Sequence, residues 1–310
     1  MKHEHAVVGT LGGMVLMLSG CPPPKVLPAW HTMQDAVAIV EANRALAVDG
    51  LKAHGSVRGR FADDSGARRH FDLEGRLQLV APDHMRFVLE NAFGGEELQI
   101  GMNDAKWWLI AHRPDERYFE GARQHDRDGS RAGFARRLEV NAAIDNRRAR
   151  PALPLRPESL IECLGLHPLS APGTAHRVVD DYQQLIFVVQ TSQEAQFIEK
   201  EYWLDRYEPH LIRRIVFRDR HGRVTLSSDL DAYRAVGERG LLLPHRLRLS
   251  WPQDDAELTF RIARWREVPT MTTDHPAFVS PHDRGQRFEF ESITRHAAPD
   301  SVESARPTDR

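Results

Sequence analysis

Cysteine is scarce in this chain, with two residues in 310, Cys21 and Cys163. So few cysteines exclude a fold that depends on a disulfide framework, and Cys163, in an apolar stretch, is typical of a small buried side chain. Positive charge is not in excess either. The formal net charge is −2, and arginine is scattered through the chain, so the composition does not favour nucleic acid as a partner. No apolar run reaches the ~20 residues that a membrane-spanning helix needs.

The sequence patterns of common catalytic and cofactor sites are also missing. The chain has no His-Glu-x-x-His, no Gly-x-Ser-x-Gly, no Walker loop and no pair of Cys-x-x-Cys motifs. Acidic pairs such as Asp63-Asp64 and Asp254-Asp255 lie where hairpin turns are expected, and turn chemistry explains them. We therefore expect a protein that is not an enzyme, with no metal and no cofactor. An envelope hydrolase whose site assembles from distant strands is the most remote alternative.

The first twenty residues have the pattern of a secretory signal. Lys2 gives a weakly positive start, and an apolar run extends from Ala6 to Leu18. The segment Leu18-Ser19-Gly20-Cys21 then resembles the lipobox of bacterial lipoprotein precursors. The resemblance implies cleavage before Cys21 and lipid attachment to Cys21, with acyl chains such as palmitate. The alternative is an ordinary signal peptide followed by a chance cysteine.

The chain beyond the signal divides into three parts. We expect a Pro-rich lipidated tether at 21–29, one large domain at 30–270, and a polar C-terminal extension at 271–310 that is partly disordered. Pro22 follows Cys21, whereas Asp at that place retains lipoproteins at the inner membrane in some Gram-negative bacteria. We therefore expect a cell-envelope protein held by its acylated Cys21, on the outer membrane and facing the periplasm.

Within the domain, apolar and polar residues alternate over many short segments, after a first helix from Trp30 to Val48 that ends at Gly50. Strict alternation is typical of strands with one apolar and one wet face. Turn signals recur at short intervals, so consecutive hairpins are the natural connection. The predicted fold class is mainly β (α+β): a curved antiparallel sheet that forms an incomplete barrel closed by helices. A second short helix is predicted from Pro157 to Leu166.

A sheet that is apolar on one face needs a cover, and a half-barrel of this kind commonly holds one apolar ligand. The candidate lining residues of a hydrophobic cavity are Phe71, Leu73, Leu77, Met85, Phe87, Leu89, Trp107, Leu247, Leu249, Trp251, Leu258 and Phe260. For each residue taken alone, ordinary core packing is the alternative.

Four segments resemble the LolA/LolB-like family, the periplasmic carrier and outer-membrane receptor of bacterial lipoprotein sorting. They are Leu51-Lys52-Ala53-His54-Gly55 with the strand after it, Pro82 to Leu98, Pro154 to Leu166, and Tyr202 through Leu243-Pro244 to Trp251-Pro252. The resemblance implies an incomplete antiparallel barrel with a cavity for acyl chains. It also implies a protruding loop with an exposed apolar residue, and Phe93 falls at the matching position. The alternative for Phe93 is a ring folded back over the barrel mouth.

These observations predict a lipid-anchored periplasmic protein that binds acyl chains in its half-barrel. Its cargo would be a lipid or an acylated lipoprotein on the way to the outer membrane, and a periplasmic carrier would be a partner. The alternative is an envelope scaffold or sensor lipoprotein that transports nothing and whose barrel is filled by its own side chains.

Overall fold

The computed structural model describes residues 32–47, 49–62, 66–112, 117–123, 157–169, 174–179, 182–190, 196–207, 209–219 and 221–281. All of them lie in one compact unit, His31–Arg310, and the other unit, Met1–Trp30, lies outside the described residues. The predicted signal peptide, Cys21 and the tether are therefore outside them as well. So are nearly all of the Arg-rich stretch from Arg123 to Arg150 and the end of the C-terminal extension.

The described residues form two α-helices, α1 (Met33–Arg44) and α2 (Pro157–Cys163). The first six strands are β1 (Gly50–Ala62), β2 (Arg68–Val80), β3 (His84–Glu90), β4 (Glu96–Met102), β5 (Lys106–Ala111) and β6 (Arg117–Ala122). After α2 come β7 (Thr174–Val179), β8 (Tyr182–Gln190), β9 (Gln196–Asp205), β10 (Ile212–Arg218) and β11 (Val224–Asp231). The last four are β12 (Arg234–Val236), β13 (Leu241–Leu243), β14 (Arg246–Trp251) and β15 (Ala256–Val268).

Thirteen of these strands make one antiparallel sheet in the order β6-β5-β4-β3-β2-β1-β15-β14-β11-β10-β9-β8-β7, and β12 pairs with β13 separately. The chain therefore folds as two meanders that meet where β1 pairs with β15. The sheet does not close on itself, because β6 and β7 lie at its two ends. The predicted fold class, a mainly β incomplete barrel, is confirmed.

Both predicted helices are present: α1 is shorter than predicted at both ends, and α2 begins at Pro157 as predicted but ends at Cys163, before Leu166. Thr32 caps α1: its hydroxyl accepts a hydrogen bond from Asp35 N, and the Asp35 carboxylate accepts one from Thr32 N, which is a capping box. The chain leaves α2 at Gly165, whose φ of +72° is a left-handed conformation that glycine adopts at low cost.

The first residues of the C-terminal extension belong to the packed structure. Met271, Ala277 and Phe278 form a buried cluster with Val80 and Val268 packed against it. The side-chain amide of Asn103 donates a hydrogen bond to Phe278 O at 3.1 Å. Residues 271–281 therefore cover part of the sheet, although the composition of this segment is polar and Pro-rich.

Candidate functional site

The twelve predicted cavity residues lie together on the concave face, the face of the sheet that carries the main hydrophobic cluster. Nine are buried: Leu77, Met85, Phe87, Leu89, Leu247, Leu249, Trp251, Leu258 and Phe260. The other three, Phe71, Leu73 and Trp107, are partly buried and pack against the same cluster. The alternation in the sequence thus identified one contiguous apolar surface that runs across both meanders.

Strong curvature brings the two meanders into contact over this face. Phe87 on β3 and Phe260 on β15 have β2 and β1 between them, and three strand spacings of ~4.8 Å would hold them ~14 Å apart in a flat sheet. Their ring centroids are nevertheless 5.3 Å apart. Gly75 on β2 makes room, because a Cβ there would lie 2.5 Å from Val57, 3.1 Å from Phe260 and 3.3 Å from Phe87. The missing side chain lets the rings meet across the intervening strands.

Helix α2 covers this face in place of a second sheet. Leu160, Ile161 and Leu164 are each no more than 2% exposed and belong to the main cluster. A hydrogen bond also holds the helix in place: the Ser228 hydroxyl on β11 donates to the backbone carbonyl oxygen of Cys163 at 2.8 Å. Burial raises the pKa of the Cys163 thiol well above its ordinary value and so keeps it protonated, and the group is buried as predicted.

One charged group of α2 points into the same interior. The Glu162 carboxylate, with 10% of its side chain exposed, lies 2.7 Å from Lys200 Nζ. It also accepts a hydrogen bond from Tyr202 OH at 2.6 Å. Burial alone would raise the pKa of Glu162, but the Lys200 ammonium, His167 and these hydrogen bonds outweigh it and hold the pKa below its ordinary value. A charge pair therefore anchors α2 to β9 inside an otherwise apolar face.

Helix α1 covers the same face beside β13. Ala36 and Val40 are buried in the main cluster. Asn43 fixes the helix by two hydrogen bonds to the backbone of Leu242, at 3.0 Å from its Nδ2 to Leu242 O and 2.9 Å from Leu242 N to its Oδ1. Glu41 Oε1 accepts a hydrogen bond from Leu169 N at 2.8 Å, which links α1 to the segment after α2. The two helices thus form one cover.

Two pockets lie away from the twelve candidate residues. One, with room for about one water at ≈ 20 Å³, lies under the cover between α1, the end of α2 and β13. The other, about 370 Å³, is an open hollow on the opposite, convex face of the sheet. In this state, the concave face is occupied by its own side chains and by the helices.

Phe93 lies at the tip of the loop between β3 and β4 and is 97% exposed. Asn91 orders this loop: its Oδ1 accepts hydrogen bonds from Phe93 N at 2.9 Å and Gly95 N at 3.0 Å, and its Nδ2 donates to Glu97 Oε1 at 2.6 Å. Gly94, with φ +78°, completes the turn. The ring therefore protrudes from a well-held loop, and the alternative of a ring folded back over the barrel does not hold.

The sequence pattern missed a second apolar cluster, on the convex side of β5 and β6. Trp108, Ile110 and Tyr118 are buried there, with at most 2% exposed. Tyr118 OH lies 2.9 Å from Ser280 Oγ, so the start of the C-terminal extension contributes to this cluster. The uninterrupted apolar run Trp107 to Ala111 was the available signal, because a strand buried on both faces does not alternate.

In the part of the chain that the structure describes, no three His, Cys, Asp or Glu side chains are placed so that they could hold a metal ion. No described helix is long and apolar enough to cross a membrane.

The fold and its covered face define a half-barrel with helices over an apolar concave surface. No protein-family model matches the chain, and no curated protein matches its sequence. Among solved structures, it is similar to a LolA superfamily protein from Nitrosomonas europaea, with 10% identity, a TM-score of 0.46, and coverage of 77% of this chain and 94% of that one.

Two further solved structures are similar at the same identity. A protein domain from Vibrio parahaemolyticus, named for outer membrane lipoprotein sorting, is 10% identical with a TM-score of 0.44, covering 75% of this chain and 92% of that one. A DUF1329 family protein from Desulfovibrio piger is 10% identical with a TM-score of 0.41, covering 79% and 98%. At these values the similarities do not determine what this chain binds.

Proposed function

We propose that this chain is a lipid-anchored envelope protein, attached to the outer membrane through acylated Cys21, whose concave face takes up acyl chains of a lipid or an acylated lipoprotein. The proposal needs no covalent chemistry on the cargo. Its main support is the single apolar surface that spans both meanders and is covered by a helix of seven residues, α2, at one place. A periplasmic carrier that delivers the cargo is part of the proposal.

Uptake requires that cargo replace α2 on the concave face. Leu160, Ile161 and Leu164 bury three large apolar side chains, worth roughly 5–9 kcal/mol at about 1.5–3 kcal/mol each. An acyl chain with about fifteen CH2 groups gains roughly 12 kcal/mol at ~0.8 kcal/mol per group. Replacement of the helix by an acyl chain is therefore energetically feasible. Breaking the Glu162–Lys200 ion pair adds to the free energy that the replacement requires.

A second candidate function has its own support. Nine of the twelve candidate residues are at most 3% exposed, so the interior as described is filled. A filled half-barrel favours an envelope scaffold or sensor that holds its shape and carries nothing. The two candidates differ in one property, which is whether α2 leaves the concave face when acyl chains are present.

A reversible cross-link between α2 and β11 tests the proposal. Ser228 is hydrogen-bonded to Cys163 O at 2.8 Å, so Ser228→Cys places a second thiol beside the native Cys163. Binding of a fluorescent fatty acid is measured on the full chain carrying Cys21→Ala, with native mass spectrometry for co-purified acyl species. We expect binding in the reduced Ser228→Cys protein and its loss on oxidation. Ser228→Ala, which cannot form the bond, is the matched control under both conditions.

Each outcome is decisive. Binding at unchanged affinity in the oxidised protein, with the cross-link confirmed by mass, would exclude displacement of α2. No binding in any form of the protein would reject acyl uptake and leave the filled scaffold. The anchor is tested separately, by metabolic labelling with a palmitate analogue, which should label the native chain and leave the Cys21→Ala chain unlabelled.

A further inference from the structure

The pairing of β1 with β15 contains a β-bulge that changes which face the β15 arginines occupy. His54 lies opposite Arg264, but the next residue, Gly55, lies opposite Ile262, so Ala263 is an extra residue. In a regular strand, side chains three apart point to opposite faces. Because of the extra residue, Arg261 and Arg264 are both exposed on the convex face.

Several positively charged side chains lie around this bulge. The bulge patch consists of Lys52, Arg248, Arg261, Arg264 and Arg266, and no hydrogen bond or ion pair to another described side chain satisfies any of them. Elsewhere on the convex face, arginines are paired across strands, as in Arg58–Asp72 and Arg214–Asp229. The excess of positive charge belongs to this patch and not to the whole chain, whose formal net charge is −2.

The strand register places like charges directly opposite each other. Lys52 faces Arg266 across β1 and β15, and Arg246 faces Arg261 across β14 and β15. Like charges in such positions destabilise a sheet. Asp231 neutralises Arg246 by an ion pair, whereas Lys52 and Arg266 have no such partner among the described residues. A bound anion would relieve this repulsion.

The open hollow of about 370 Å³ on the convex face lies at the bulge, and Arg261 is the patch residue that lines it. It is lined by His54, Gly55, Ser56, Glu74, Arg261, Ile262 and Ala263. Its one carboxylate, Glu74, is 3.2 Å from His54 Nε2, which leaves the Arg261 guanidinium and the Ser56 hydroxyl as donors for a ligand. Gly55 keeps the two strands close, since a Cβ there would lie 2.0 Å from Arg261 O.

The chemistry of the bulge patch favours phosphate. Four of its five members are arginines, and the planar guanidinium donates paired hydrogen bonds that match phosphate oxygens. Several cations spread over three strands suit a surface with many phosphates better than one small anion. The bilayer supplies such a surface within reach, because the eleven residues from Cys21 to His31 span at most about 40 Å. This step rests on the proposed attachment at Cys21.

We propose that the bulge patch docks the domain on the phosphate headgroups of an anionic bilayer, with one headgroup entering the hollow at the bulge. The contact is electrostatic and reversible. The convex face thereby provides a second attachment to the membrane, in addition to the acyl anchor. This attachment orients the domain, with the concave face turned away from the lipid that the patch binds.

Vesicle co-sedimentation of the full chain carrying Cys21→Ala tests the docking without the acyl anchor. The vesicles are equimolar phosphatidylglycerol and phosphatidylcholine, or phosphatidylcholine alone. The test variant is Arg261→Gln/Arg264→Gln/Arg266→Gln. The matched control, Arg58→Gln/Arg68→Gln/Arg223→Gln, loses the same charge at arginines that are paired with Asp72, Asp255 and Asp219.

We expect binding to anionic vesicles only, weakened on the order of 100-fold in the test variant and little in the control, because each cation near an anionic surface contributes about a factor of five. Raising salt from about 0.1 M to 1 M shortens the Debye length from about 10 Å to about 3 Å and should abolish binding. Equal loss in both variants, or binding to phosphatidylcholine alone at equal strength, would overturn the docking surface.

Two further arms identify the source of the phosphate. Inorganic phosphate, at ionic strength matched with chloride, should not release the protein; if it does, the site takes a soluble phosphate and the lipid assignment is wrong. Duplex DNA that binds more tightly than the vesicles, with the same loss in the test variant, would also overturn it. Palmitate labelling of the native chain is independent of all these arms, so failure of the anchor and failure of the patch are distinguishable.

Discussion

Removal of Lys200 should reveal how the charge pair beneath α2 contributes to stability. In Lys200→Met, the long apolar stem is kept while the ammonium that lies 2.7 Å from Glu162 Oε1 is lost. The Glu162 carboxylate then has Tyr202 OH as its closest donor, at 2.6 Å, in an apolar surrounding. A carboxylate in that position becomes neutral by taking a proton when the cost of staying charged exceeds the cost of protonation.

Protonation sets the scale of the loss. With an ordinary pKa of 4.5 for Glu162, taking up a proton costs about 1.36 kcal/mol per pH unit above that value. If Glu162 is protonated in the variant, the free energy of unfolding should fall by at least about 3.4 kcal/mol at pH 7 and about 0.7 kcal/mol at pH 5, and by more in so far as the native pKa lies below 4.5. The sign follows from the lowered native pKa: the pair stabilises the fold above the unfolded pKa of Glu162, and this contribution is lost as pH falls through the folded pKa.

Urea unfolding of the chain carrying Cys21→Ala, followed by tryptophan fluorescence at both pH values, measures this difference. Lys52→Met is the matched control: Lys52 lies on the convex face opposite Arg266, so relief of their repulsion should raise stability by at most about 1 kcal/mol, and by the same amount at both pH values. A loss of equal size at pH 7 and pH 5 would refute the argument, because it would mean that packing and not the charge of Glu162 is responsible.

Two further substitutions test the loop and the bulge. Phe93→Ala should leave the free energy of unfolding unchanged, because the ring is 97% exposed. It should slow delivery of an acylated peptide to vesicles roughly ten- to hundredfold, as expected for roughly 1.5–3 kcal/mol of lost burial. Tyr182→Ala, at another exposed ring, is the control, and equal delivery by both variants would show that the loop has no part in the function. Gly55→Ala should destabilise the domain by about 1–3 kcal/mol in urea unfolding, because its Cβ would lie 2.0 Å from Arg261 O. Ser56→Ala is the control and should change stability little. Unchanged stability of Gly55→Ala would contradict the close approach of β1 and β15.

The sequence predicted those parts of the fold whose chemistry repeats along the chain. On β14, the buried residues Leu247, Leu249 and Trp251 alternate with Arg246, Arg248 and Ser250, so the face of each residue follows from its position in the alternation. The region in which α1 starts could also be predicted, because the Thr32–Asp35 capping box is a local sequence pattern. Both signals depend on neighbours within a few residues.

Features that depend on residues distant in the sequence could not be predicted from it. The bulge at Ala263 shifts the register by one residue, and a single exposed alanine gives no sign of it. The strands β12 and β13 have three residues each, too few for a period to appear. The burial of Glu162 depends on Lys200 and Tyr202, which are 38 and 40 residues away, and no local pattern connects them.

The pairing of β1 with β15 has a consequence for biosynthesis. Arg60 and Glu257, which are bonded across these two strands, are 197 residues apart, and they lie at the centre of the sheet. At about 5–20 residues per second, the ribosome completes β15 roughly 10–40 s after β1. For that time, one long edge of the first meander has no strand beside it, and exposed edges of this kind recruit other chains. In a chain that folds as it is made, the central seam therefore stays open for that interval, and a chaperone that shields the unpaired edge of β1, or keeps the chain unfolded for the export proposed above, would act then.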